Sequence, residues 1–391
     1  MPTLLVGQSG GPTAVINASL AGVVRAALSS AVFDRVLGMR NGVQGALDGR
    51  LADLSGLDAS SLDRLARTPS AALGSCRYKL RDGDAQRLVQ LCRTQDVRAL
   101  VYIGGNDSAD TSACVEAAAQ AEGFDLRVVG VPKTIDNDLP ATDHCPGYGS
   151  AARFVAQTTR ETALDTWAMR STDPIKLVEV MGRHAGWLPG AAWLARVDPD
   201  DAPHLVYVPE RPVSAEQVVE DVRRVHQRLG WCVVVLCENQ PEPGGSVIGA
   251  QGEPRWIDAF GHAYYDSPAQ ALAQRVQQTL GVRARFDKPG TIQRMATAYV
   301  SSVDRAEAEL VGETAVREVL EGGSGVMVTL EREPGPGYRV STGTVGLDVV
   351  ANQQRRLPDD FVNPDGNGLT EAFETYARPL LGEPLPLFQR L

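Results

Sequence analysis

The sequence predicts an α/β fold in which parallel strands are joined by helices, repeated in two successive domains. Short apolar runs ending in glycine or proline alternate with longer amphipathic stretches through the first third of the chain. Beyond Gly149 the alternation starts again, after the turn-rich Pro146-Gly147-Tyr148-Gly149. At 391 residues the chain has the length of two or three domains, enough for large buried cores.

Taken in order, residues 3–6 read as the first strand and 12–29 as a helix, with Ile16, Leu20, Val23, Val24, Ala27 and Leu28 on one face. Residues 84–94 read as a helix, 99–103 as a strand running into Gly104-Gly105, 112–121 as a helix, and 126–131 as a strand ending at Pro132. In the second domain 151–166, 185–194 and 215–229 read as helices, and 175–180, 205–208 and 231–237 as strands. Residues 241–245 are a loop by composition, and Pro334-Gly335-Pro336-Gly337 marks a break. After it only 369–376 reads as a helix, so the tail is expected to pack on the body as an extension; no repeat of solenoid period is present.

A composition of 43% hydrophobic and 22% charged residues argues against wholesale disorder. Lys plus Arg at 38 against Asp plus Glu at 48 leaves a net charge of −10, which repels nucleic acid and anionic lipid at long range. The N-terminus lacks a basic segment and does not read as a signal peptide. The longest apolar run, residues 231–237, is far short of the ~20 residues a membrane span needs. Six cysteines without a C-x-x-C pair suit reduced, buried thiols. A soluble, cytoplasmic protein is the expectation, without nucleic-acid or membrane partners.

Polar loops follow the strands, where open α/β sheets bind ligands. Gly10-Gly11, before Pro12 near the expected first helical turn, lets backbone N–H groups approach an anion, or is simply a tight turn. Gly104-Gly105-Asn106-Asp107-Ser108 places oxygen ligands suited to Mg²⁺ at a strand end, or caps the next helix. Pro132-Lys133-Thr134-Ile135-Asp136-Asn137-Asp138 gathers a cation, a hydroxyl and two carboxylates, suiting phosphoryl transfer to a hydroxyl or a charged surface loop. In the second domain, Met181-Gly182-Arg183, Glu238, Arg285 and Arg294 offer arginine forks for a phosphate and a carboxylate for sugar hydroxyls; singly, each arginine is more often a surface ion-pair partner.

As a set, these loops resemble the phosphofructokinase family from about residue 3 to 331. The resemblance implies two doubly wound, Rossmann-like domains with the active site in the cleft between them. A donor-binding domain would span 1–145, completed by 292–330. A sugar-phosphate domain would span 146–291, and 331–391 would be a C-terminal extension. Gly10, Gly11, Gly105 and Ser108, with Arg77 and Tyr78, would hold the phosphoryl donor. Asn106 and Asp107 would hold Mg²⁺, Asn106 standing where many members carry an aspartate. Thr134, Ile135, Asp136 and Asp138, with Met181, Gly182, Arg183, Glu238, Arg285, Thr291 and Arg294, would hold fructose 6-phosphate. Asp136, Lys133 and Asp107 would act in catalysis, with Asp136 as the base.

ATP-using relatives have glycine at the positions of Asp107 and Lys133, and both changes are those of the pyrophosphate-dependent branch. A carboxylate ~4 Å from the site of an α-phosphate repels it by ~4 kcal/mol at an effective dielectric of ~20, roughly a thousandfold discrimination. Pro174, with Lys176 nearby, replaces an arginine that reaches a neighbouring subunit in many relatives, and Thr291 replaces a histidine. The expectation is a reversible, Mg²⁺-assisted pyrophosphate-dependent phosphorylation of fructose 6-phosphate serving glycolysis or gluconeogenesis, in a homodimer or homotetramer. The alternatives are an ATP-dependent 6-phosphofructokinase, a catalytically silent regulatory subunit, or another acceptor such as sedoheptulose 7-phosphate.

Overall fold

In the computed structural model, residues 2–250, 254–257 and 263–390 are described, and they divide into two compact units. Unit one comprises 1–148 and 294–355, and unit two 149–293 and 356–391. The stretch 331–391, expected as one extension, is thus shared between them.

The strands in chain order are β1 (Thr3–Gln8), β2 (Arg35–Met39), β3 (Leu51–Asp53), β4 (Val97–Gly104), β5 (Arg127–Pro132), β6 (Ile175–Val180), β7 (Leu205–Val206), β8 (Cys232–Cys237), β9 (Trp256–Ile257), β10 (Ala263–Tyr264), β11 (Ala284–Asp287), β12 (Val326–Arg332) and β13 (Val340–Gly346). Helices relevant below are α1 (Ile16–Ser29), α2 (Asp84–Thr94), α3 (Asn106–Ala121), α4 (Trp187–Ala191), α5 (Ala215–Leu229), α6 (Pro268–Leu280), α7 (Ser302–Leu320) and α8 (Glu371–Ala377).

Unit one is a seven-stranded sheet of order β13-β12-β5-β4-β1-β2-β3, parallel except at its two edge pairs. Both faces are apolar. Ala99, Val101 and Ile103 of β4 join α1 and α7 on one side, while Leu100 and Tyr102 face the other. Strict alternation within a doubly covered strand is why β4 carries no exposed polar face. Unit two has a four-stranded parallel sheet of order β11-β6-β8-β7, and β9 and β10 form a separate antiparallel ribbon. Its core joins β6, β7 and β8 to α5 and α6.

Helix α5 matches its expected bounds because its end signals are local: Ser214 Oγ accepts from Gln217 N–H, and Gly230 ends it at φ 78°. Four expectations are corrected. Helix α1 begins at Ile16, so Pro12 is not in its first turn; Thr13 is buried, its Oγ1 accepts from Val15 N–H, and residues 12–15 stay non-helical. Helix α3 begins at Asn106, which puts the Asn106-Asp107-Ser108 loop inside the first helical turn. The expected helix 185–194 is the short α4 followed by a 3-10 turn, Ala192–Ala195. The Pro-Gly break at 334–337 is the tip of the β12–β13 hairpin, where Arg332 pairs with Val340, so the sheet continues beyond it. No helix among the described residues is long and apolar enough to cross a membrane.

Candidate active site

In unit one the carboxyl ends of β1, β4 and β5 bring three of the expected loops together. Ser9 N–H donates to Ile103 O at 2.9 Å, Gly10 N–H to Cys76 O at 3.0 Å, and Lys133 N–H to Gly104 O at 3.0 Å. Gly10 needs its freedom: φ is +74°, and a Cβ there would lie 3.2 Å from Lys133 Nζ. A Cβ on Gly11 would lie 3.0 Å from Arg294 Nη1. Arg294, expected among the sugar-phosphate contacts, therefore sits against the Gly10-Gly11 turn.

Lys133 is only 4% exposed, and its Nζ donates to Gly11 O at 2.9 Å. Burial pushes its pKa from 10.5 down to about 8. The charges of Asp136 and Asp138 oppose that shift, while Arg294 and Arg77 reinforce it. Four charged groups, Asp136, Asp138, Arg77 and Arg294, are thus within electrostatic reach of this one ammonium. The Asp136 N–H donates to Thr134 Oγ1 at 3.0 Å, and Ile135 is buried beneath them.

The metal loop is divided in its chemistry. Asn106 Oδ1 accepts from Asp107 N–H at 2.9 Å, and Asn106 Nδ2 donates to Gln353 O at 3.2 Å, so this side chain works at the helix start. Asp107 is exposed in the first turn of α3, and Ser108 is buried. Among the described residues no group of three or more His, Cys, Asp or Glu could hold a metal. An exposed carboxylate still fits Mg²⁺, which commonly takes one or two protein carboxylates and fills its shell with water and substrate phosphate oxygens. Tyr78 is committed elsewhere: its hydroxyl donates to Asp84 Oδ2 at 2.7 Å, in the first turn of α2, while neighbouring Arg77 is exposed.

Unit two holds the other group. Met181 N–H donates to Gln293 Oε1 at 3.1 Å, and Gly182 turns the chain at φ +116° with its missing Cβ position 2.9 Å from Ala185 O. Arg183 Nε lies 3.7 Å from Glu238 Oε1, and Glu238 is placed by its N–H bond to Val180 O. Arg285 is elsewhere. It pairs in register with Lys176 near the start of β6, five residues before Met181, or roughly 16 Å along a strand. There Arg285 binds Asp173 at 2.8 Å, Arg283 binds the same carboxylate at 3.0 Å, and Lys176 binds Asp287 at 2.8 Å. Asp173, Lys176 and Arg285 line a cleft of about 260 Å³ with Asp165, Thr166 and Met169. Within one chain, register keeps Arg285 from sharing a phosphate with Arg183. Thr291 is exposed in the 3-10 turn Gly290–Arg294.

Sequence reasoning missed Gln293 and Arg355. Gln293, 2% exposed, anchors the Met181 turn, and its position beside Arg294 was the available signal. Arg355 reaches the Asp136 loop from the tail, which no local pattern announces.

Comparison with known proteins places the same residues in context. Residues 3–319 match the phosphofructokinase family. A protein of Xanthomonas campestris described as a pyrophosphate–fructose 6-phosphate 1-phosphotransferase is 43% identical over 98% of this chain and 92% of its own length. A solved pyrophosphate-dependent phosphofructokinase from Marinobacter aquaeolei superposes with a TM-score of 0.89 at 36% identity, covering 100% of this chain and 94% of the other. A sulfofructose kinase of Alkalicoccus urumqiensis is 33% identical over 91% of both chains.

Proposed function

Because the chain belongs to the phosphofructokinase family, we propose that it transfers a phosphoryl group from pyrophosphate to O1 of fructose 6-phosphate, giving fructose 1,6-bisphosphate and phosphate. The observation that carries the reading is the buried Lys133 ammonium held against the Gly10-Gly11 turn, with Asp107 in the first turn of α3. Asp136 takes the proton of the O1 hydroxyl as it attacks, and Lys133 stabilises charge on the phosphoryl group in flight. Arg77 and Arg294 add cationic charge near the same ammonium. Asp107 excludes an α-phosphate by like-charge repulsion. Mg²⁺, held by Asp107 and water, would neutralise pyrophosphate when bound.

Arg183 and Glu238 serve the sugar phosphate from unit two. Arg285 serves a site only if a second copy of the chain supplies it, which a homo-oligomer accommodates.

A coupled assay tests the donor: turnover with pyrophosphate should exceed that with ATP, and equal rates would sink the assignment. Exchanging Asp107 and Lys133 together for glycine should raise ATP use. Asp136→Ala should lower kcat by about 10²–10⁴, the contribution of a general base. Sedoheptulose 7-phosphate and sulfofructose, offered in place of fructose 6-phosphate, measure acceptor choice.

A further inference from the structure

The four residues Asn352 to Arg355, in the stretch that carried no expected role, are tied both to the start of α3 after β4 and to the loop after β5. Asn352 Nδ2 donates to Asp110 Oδ1 at 2.9 Å, and Gln353 O accepts from Asn106 Nδ2 at 3.2 Å. Gln354 Nε2 donates to Asp138 Oδ2 at 3.0 Å, and Arg355 N–H donates to Asp138 O at 2.6 Å. The Arg355 guanidinium then donates to three further carbonyls: Asn137 O at 2.8 Å, Thr142 O at 2.7 Å and Asp143 O at 2.6 Å.

These acceptors lie on two limbs of one loop. The first limb, Asn137-Asp138, directly follows Asp136. Asn137 is fully buried at φ 55°, in the left-handed region, and its Oδ1 accepts from Cys145 N–H at 2.9 Å. The second limb is fixed to the sheet: Asp143 N–H donates to Leu330 O at 2.8 Å, and Leu330 N–H to Thr142 Oγ1 at 2.9 Å. Leu330 belongs to β12, so the second limb is as rigid as the sheet. Arg355 is the cation that spans from it to the first limb. A planar guanidinium can address several carbonyls at once, which an ammonium on a flexible stem cannot do with fixed geometry.

We propose that Arg355 is a positioning residue for phosphoryl transfer, holding the Asp136 limb against the sheet-anchored limb so that the Asp136 carboxylate is fixed for proton removal. The inference rests on the reading of Asp136 as the base. A misplacement of about 1 Å at a reacting group costs on the order of 10²-fold, and loss of a supporting hydrogen-bond partner costs roughly 10–100-fold.

The test is steady-state kinetics with pyrophosphate and fructose 6-phosphate on Arg355→Ala, Arg355→Lys, Asp136→Ala and the Arg355→Ala/Asp136→Ala double variant, with melting temperatures alongside. Arg355→Ala should lose about 10–100-fold in kcat, with either KM moving less than about threefold, and added guanidinium should restore part of the loss. In the Asp136→Ala background the same change should cost nothing further, because a positioning residue has nothing left to position. A folded Arg355→Ala protein with kcat within twofold of the parent overturns the proposal, as does an equal further loss in the Asp136→Ala background. Should Arg355→Ala not fold, Arg355→Lys decides: an intermediate kcat supports the proposal and a parental kcat overturns it. Full activity in Asp136→Ala overturns the reading of the base itself, an outcome separate from a silent Arg355.

Discussion

Lys133 of unit one and the paired cations of unit two hold positive charge in opposite ways. In unit one Lys133 is buried where its surroundings disfavour the ammonium, and its pKa falls to about 8. In unit two each notable cation is matched to an acid: Lys288 to Glu179 at 2.6 Å, Lys176 to Asp287, and Arg285 to Asp173, whose hydrogen bond raises the guanidinium pKa. A cation held at an electrostatic disadvantage gains on meeting an anion. A paired one must exchange one anion for another and gains less. The buried Lys133 ammonium therefore responds more steeply to an approaching anion than the paired cations of unit two do.

The largest expected effect breaks unit one. Lys133→Gln should lower kcat by about 10²–10³, the scale of removing one preorganised stabiliser of transition-state charge. A loss below tenfold in steady-state turnover would erase the contrast between the units.

Unit one also buries a compensated cation, which sharpens the contrast. His144 is 1% exposed, with Nδ1 2.8 Å from Asp143 Oδ1 and Nε2 2.7 Å from Glu307 Oε2, and Tyr338 donates to Glu307. Burial disfavours the charged ring, but its bonds to Asp143 and Glu307 prevail and the pKa is raised above 6.5. Its stabilisation is full below about 6.5 and is lost as pH rises through the raised folded value. Breaking such a buried pair costs roughly 3–5 kcal/mol. His144→Gln should therefore lose about that much in urea unfolding at pH 6, and the gap to the parent should narrow at pH 9.

A smaller effect is a pH limb. Between about 8 and 10.5 the unfolded chain holds more protons at Lys133 than the folded one, so its burial destabilises below about 8 and ceases to do so as pH rises. Activity runs the other way, because the neutral amine cannot stabilise phosphoryl charge. In the free enzyme kcat/KM should fall above a pH of about 8, and Lys133→Arg should remove that limb. The smallest effect belongs to unit two: Asp173→Asn releases the solvent-facing Arg283 and Arg285 and should shift the fructose 6-phosphate KM by roughly two- to fivefold. A hundredfold change would place Arg285 in the same electrostatic class as Lys133.

The strands and the loops that follow them were legible because both signals are local. Apolar runs of strand length and helix ends such as Ser214 and Gly230 are written within a few neighbouring residues. The family motifs likewise named Lys133, Asp136 and Arg183 from short segments. Strands β2, β3 and β9 to β13 escaped, as did helices α6 and α7. The antiparallel edges β3 and β13 carry no buried residue, and Pro-Gly punctuation reads as a boundary even where it is a hairpin tip.

Residue types and chain order were sufficient to specify an α/β chain, its strand-end loops, and the acid, base and cation types those loops carry, because covalent neighbours set both hydrophobic period and motif spacing. Sheet register and packing decided the rest. They placed Arg294 beside Gly11 and Lys133, set Arg285 some strand length away from Arg183, and committed Tyr78 to Asp84. They also brought Arg355 onto a loop more than two hundred residues earlier in the chain. Such pairings depend on burial and on hydrogen bonds between distant segments. Lys133 shows the consequence most directly, since its ordinary lysine identity is visible in the sequence and its low pKa exists only where the folded chain removes it from water.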